Sequence, residues 1–133
     1  MKLICGEIEP GKRISNFFIG SKKEEIITKL DDNYKVWERE DGFCIYTLEN
    51  FRLWFGVNGD LEQIGVTKGF FGNYKSIRIG ATMQEVAIQF GQYENDGDVY
   101  LISGLDGICF ELEDVDDWEE LTAPIEWIFV YKC

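Results

Sequence analysis

Seven carboxylates fall within ten residues of this chain: Glu111, Glu113, Asp114, Asp116, Asp117, Glu119 and Glu120, with Trp118 set among them. They are its one abundant reactive group. A pair such as Glu111 and Asp114 can divide acid and base roles, as glycosidases do. Such a row can also hold calcium, but the D-x-[DN]-x-[DN]-G spacing is missing and no glycine follows Gly107 to make the sharp turn. The third use is as a surface, on which charge steers a basic protein and the indole supplies desolvated contact. A solvated acidic loop with Trp118 turned into the core would carry the same residues. The direction of Trp118 separates these last two readings, and sequence alone leaves both open.

Other catalytic equipment is sparse. Histidine is absent, which removes the commonest general base and the usual partner of a Ser or Cys nucleophile. Gly69, Gly72 and Gly80 lack the Lys-Ser/Thr of a phosphate loop, and no G-x-G-x-x-G occurs. Cys5, Cys44, Cys109 and Cys133 show no C-x-x-C spacing, so they read as buried free thiols rather than as a disulfide framework or a zinc site. Cys109 precedes Phe110 and Glu111, neighbours that disfavour a thiolate. The expectation is a non-enzyme with no cofactor and no metal.

Bulk properties narrow the class. A chain of 133 residues fits one domain, 1–133, large enough to need no staple. Its 45% hydrophobic and 15% aromatic content excludes disorder. No apolar run approaches a membrane span, and MKLICGEIEP is too short in its apolar part for a signal peptide, so the expected setting is cytoplasmic. Thirteen basic against 25 acidic residues give a net charge of −12. Residues 1–66 carry nine and 12, a net of −3; residues 67–133 carry four and 13, a net of −9. No basic residue lies between Arg78 and Lys132. Such a field repels nucleic acid and anionic membrane and attracts a basic protein.

The elements that position these residues are read from an apparent repeat. Ile19–Leu30 aligns with Ile79–Phe90 at an offset of 60, matching Ile-Gly, then Glu25 with Glu85 and Leu30 with Phe90. Ser21 with Glu24, and Thr82 with Glu85, have capping-box spacing, predicting helices from Ser21 and Thr82. Gly91 stands where a left-handed C-cap is expected. Strand-like runs follow at Phe43–Leu48, Phe51–Val57 and Leu61–Thr67, with Asn58-Gly59 as a hairpin turn, and again at Val99–Ser103, Gly107–Leu112 and Ile125–Tyr131. Two units, about 11–67 and about 72–131, each read α-β-β-β. The expected fold is α+β: two tandem helix-plus-antiparallel-strand units forming one extended sheet with the helices on one face. The other face is left open to a partner. The acidic connection from Glu113 to Pro124 is the second unit's departure from the first.

The Ile-Gly-x-[Ser/Thr]-x-x-Glu-[Val/Ile] start and the strands behind it resemble the α-β-β-β unit of β-lactamase-inhibitor-like and BamE-like proteins. In its paired form the chain looks like small bacterial immunity-type proteins. That resemblance implies an intracellular inhibitor, most concretely an immunity protein neutralising a basic toxin domain such as a nuclease. A non-toxin adaptor and an unrecognised carboxylate enzyme are the alternatives. The expected partner is a basic protein, with no nucleic acid and no membrane, and the expected state a monomer or weak dimer. Glu111 to Glu120 is the candidate interface, with Trp118 as its anchor.

Overall fold

Alternation of side chains sets which way parts of this molecule's sheet face. Along Phe51–Phe55, residues 51, 53 and 55 are buried while Arg52 is exposed and Trp54 half-buried, so one face of the strand packs and the other looks outward. Val99–Ile102 repeats this alternation, whereas Cys44–Tyr46 and Ile108–Phe110 are buried without a break. The computed structural model describes residues 1–133. The elements run β1 (Ile8–Glu9), β2 (Arg13–Ile14), β3 (Phe17–Phe18), α1 (Lys23–Ile27), β4 (Lys35–Glu38), β5 (Cys44–Thr47), β6 (Phe51–Phe55) and β7 (Leu61–Val66). Then follow α2 (Met83–Phe90), β8 (Tyr93–Asp96), β9 (Val99–Ile102), β10 (Ile108–Leu112) and β11 (Ile125–Tyr131). Eight strands form one antiparallel sheet in the order β4-β5-β6-β7-β11-β10-β9-β8, and β1-β2-β3 form a separate small sheet. Two meanders thus meet at β7 and β11, where Val66 faces Ile128 and Ile64 faces Val130. No helix is long and apolar enough to cross a membrane.

This corrects the expected fold. The chain is predominantly β, and it is not two tandem α-β-β-β units. The helices are reduced to five and eight residues. The large sheet gains two edge strands, β4 and β8, and residues 8–18 form a second sheet. The resemblance to β-lactamase-inhibitor-like, BamE-like and immunity-type proteins rested on that unit and falls with it. The missed strands share a cause: β4 is exposed throughout, β8 nearly so, and the small sheet's strands span two residues each, so none shows an apolar period.

The two predicted helix starts came out differently. Thr82 forms a full capping box with Glu85, its backbone N–H donating to Glu85 Oε2 at 2.8 Å, and Gly91 closes α2 at φ 91°. Ser21 caps nothing: α1 starts after Lys22 without a side-chain cap. Tertiary pairing claims that segment instead. Ser21 O accepts from Leu61 N–H at 2.9 Å, and Gly20 N–H donates to Leu61 O at 2.8 Å.

The core lies on one face of the large sheet. Phe51, Leu53, Phe110 and Ile128 pack in one cluster with Ile14 and Phe17 of the small sheet, Ile26 of α1 and Met83 and Val86 of α2. Asn50 is its one buried polar side chain. Its amide mimics a strand: Oδ1 accepts from Leu3 N–H and Nδ2 donates to Leu3 O, both at 2.8 Å. Asn50→Ala leaves both backbone groups of Leu3 without partners in a buried place, and a loss of about 1–3 kcal/mol in urea unfolding is expected.

Candidate functional site

Two surfaces carry the chemistry, and they join. The first is the acidic connection between β10 and β11. It is a pinned structure: Glu113 N–H donates to Pro124 O at 2.8 Å, Ala123 N–H to Glu119 O at 2.8 Å, and Ala123 itself is buried. Leu121 O accepts from Gln84 N–H in the first turn of α2. Asp117 adopts φ 54°, a left-handed conformation that Asp tolerates better than most residues.

Of the predicted interface residues, Glu113, Asp114, Asp116, Asp117, Trp118 and Glu119 are exposed, and Glu111 and Glu120 are half-buried. Trp118 is 44% exposed, so its ring is not turned into the core. Glu120 works as a structural clamp, accepting hydrogen bonds from Tyr93 OH at 2.5 Å and Tyr100 OH at 3.1 Å. Glu111 stands apart from the loop, on β10 opposite Trp127.

The Glu120 clamp makes stability depend on pH. The hydrogen bond to Glu120, with burial added, pushes the Tyr93 phenol from near 10 up to about 12. Tyr100 is pushed up too, first by burial and then by Glu120. A phenol raised on folding contributes stability below its unfolded value and loses it as pH climbs through the folded one. Unfolding free energy should therefore decline between pH 10 and about 12, and Tyr93→Phe should flatten that decline in denaturant titrations.

The second surface is the outward face of the large sheet, which no helix covers. Cross-strand register places Trp54 beside Gln63, Arg52 beside Gly65, Gly65 beside Phe129, and Phe129 beside Cys109. Phe129 packs edge-on to Trp54 at 5.8 Å and parallel to Trp127 at 5.8 Å, while the Arg52 guanidinium sits 4.8 Å from the centre of the Trp127 ring. Gly65 makes this possible, because a Cβ there would lie 2.8 Å from Phe129 Cδ1. A cavity of about 590 Å³ opens over Trp54 and Phe129, with Asp96, Asp98 and Glu111 along its acidic side. Burial raises the pKa of Glu111, and Glu126 and Asp98 add to the rise while Arg52 opposes it. Burial and Glu111 together push the Cys109 thiol to about 12, which leaves it a poor nucleophile.

All four cysteines are free; Cys44 and Cys109 are buried as read from sequence, but Cys5 and Cys133 lie at the surface. No three carboxylates or thiols converge as metal ligation requires. Asp98 and Glu111 also line a smaller cavity of about 260 Å³ beside Trp118, so acidic loop and open face form one continuous surface. The aromatic cluster escaped the sequence reading as a site, although alternation of Arg52 and Trp54 with Phe51, Leu53 and Phe55 already pointed two bulky side chains outward.

The fold and this surface define a class: a broad antiparallel sheet with one face packed under short helices and the other uncovered by any helix, aromatic and acid-edged. In sequence, no family model and no curated protein matches the chain. In structure it is similar to the uncharacterized protein yfeY from Escherichia coli, with a TM-score of 0.58 at 10% identity, over 98% of this chain and 100% of that one. That likeness concerns the fold alone.

Proposed function

We propose that this is a small acidic binding protein that captures a basic protein through the Glu111–Glu120 connection and the acidic end of the open face. Its sharpest form is an inhibitor of the immunity type, acting in the cytoplasm on a basic toxin domain such as a nuclease. The observation that carries the reading is Trp118, exposed on a pinned loop among exposed carboxylates. A loop kept only for solubility has no use for an outward indole, whereas an aromatic ring ringed by charge is a common hot-spot arrangement. The net charge of −9 in residues 67–133 supplies steering, and the same field disfavours nucleic acid and anionic membrane as partners.

A second reading, an adaptor without a toxin, is favoured by the half-buried Trp54 and Trp127, which flank the buried Phe129 and offer aromatic edges that need no basic partner. Affinity capture from the native host at low ionic strength, followed by salt elution and mass spectrometry, tests both. A basic protein released by salt, and lost when Trp118 and the loop carboxylates are replaced, supports the first. A partner indifferent to salt but lost with Trp54→Ala turns the assignment to the second.

A further inference from the structure

The edge of the sheet farthest from the acidic loop points to a different partner. β4 has a neighbour only on its β5 side, and all four of its residues are exposed, with Val36 at 44% and Trp37 at 64%. Its backbone polarity can be assigned. Arg39 N–H donates to Phe43 O at 2.8 Å beyond one end of the β4–β5 ladder, and Leu48 N–H donates to Phe51 O at 2.9 Å on the far side of β5. In an antiparallel ladder the direction alternates residue by residue. Lys35 and Trp37 therefore turn their N–H and C=O groups toward β5, and Val36 and Glu38 turn theirs to open solvent.

We propose that β4 is the seam of a two-fold homodimer, in which Val36 pairs antiparallel with Val36 of a second copy and the two large sheets become continuous. The proposal goes beyond the capture of a basic protein and uses none of the same residues.

Symmetry restricts the geometry. A two-fold axis joining two antiparallel edge strands stands perpendicular to the sheet, so each residue must meet one from the same face. Strand β4 therefore pairs with itself centred on Val36 or on Trp37. Centred on Trp37, Lys35 would oppose Arg39 of the second copy, a like-charge pair. Centred on Val36, Lys35 opposes Trp37 of the second copy, twice over. These are non-hydrogen-bonded positions, where side chains approach most closely, and an ammonium over an indole is attractive. The outward groups of Val36 and Glu38 then find backbone partners.

Charge explains why this edge and not the other. The opposite edge, β8, presents exposed Glu94 and Asp96, which guard it against pairing. β4 carries one charge of each sign, Lys35 and Glu38, around its Val-Trp pair. It also belongs to the half of the chain with a net charge of −3 rather than −9. Seven strand spacings separate β4 from β8, about 34 Å at about 4.8 Å each. That is several times the screening length of about 8 Å at physiological salt. Joining two copies at β4 keeps their strongly acidic halves apart.

Sedimentation across a concentration series tests this. Dimers should form with rising concentration and strengthen with added salt, because salt screens repulsion between like-charged copies, whereas capture of a basic protein weakens. Amide exchange should slow with concentration at Val36 and Glu38 and not at Lys35 or Trp37. Val36→Pro removes an N–H that points away from β5, so the monomer keeps its fold while the dimer is lost. Trp37→Lys sets a lysine against each of the two Lys35 side chains and should raise the dimer dissociation constant at least about tenfold, whether or not the proline variant folds. A chain that stays monomeric at every concentration and salt, or a dimer unmoved by Trp37→Lys, overturns the proposal.

Discussion

Phe110→Ala is expected to cost about 3–5 kcal/mol of unfolding free energy, the usual range for deleting a buried phenyl ring. Phe110 is fully buried at the centre of β10, opposite Ile128 on one side and Tyr100 on the other. The cavity it leaves lies under strands held on both sides, so little collapse is available to recover the loss. Against a total stability of about 5–15 kcal/mol, typical of such domains, the variant would sit close to unfolding at ordinary temperature. Trp54→Ala is the matched control on the neighbouring meander. It deletes a larger side chain, but from the open face, where half-exposure leaves less contact to forfeit. Equilibrium urea titrations of the two should give a large shift of midpoint for Phe110→Ala and a clearly smaller one for Trp54→Ala. Equal losses would mean that the outward face is as well packed around Trp54 as the inward one is around Phe110.

Reversing three loop charges should slow association with the basic partner proposed above by an order of magnitude or more at low salt, and by much less at high salt. Asp114→Lys, Asp116→Lys and Glu119→Lys suit the purpose, since all three side chains are exposed and none makes a side-chain hydrogen bond or ion pair. Asp117 is better left alone. At φ 54° a lysine there would add backbone strain to the change of charge. Glu120 is excluded for another reason, because its carboxylate holds Tyr93 and Tyr100. Stability of the triple variant should be unchanged or slightly improved, as self-repulsion in the most acidic part of the chain falls. Stopped-flow association rates over a salt series give the result. Rates indifferent to both salt and reversal would reduce the loop to a solvated face.

What could be read without coordinates is what local sequence encodes physically. Strands β5, β6, β7, β9, β10 and β11 lay where apolar runs and alternation placed them: β6 and β9 bury every second residue, while β5, β7, β10 and β11 each bury three residues in a row, and both arrangements leave a pattern in sequence. The α2 caps were legible for the same reason: Thr82, Glu85 and Gly91 satisfy backbone groups only a few residues away. The acidic connection was visible as composition.

What tertiary structure alone decided involves partners distant along the chain. Ser21 has the same capping spacing as Thr82, yet its segment pairs with Leu61, and that long-range ladder replaced the cap and shortened α1 to a single turn and a half. Strands β4 and β8 exist because β5 and β9 offer hydrogen bonds to a neighbour of almost any side chain, so exposed sequences such as Lys35–Glu38 become edges without showing a period. The outward aromatic cluster brings Trp54 and Phe129 together through the β7–β11 junction, across the bare backbone of Gly65. Local spacing determined which residues can be strands, caps and charges; the pairing order of the strands determined which of them meet, since contacts between segments that far apart form only when the whole sheet closes.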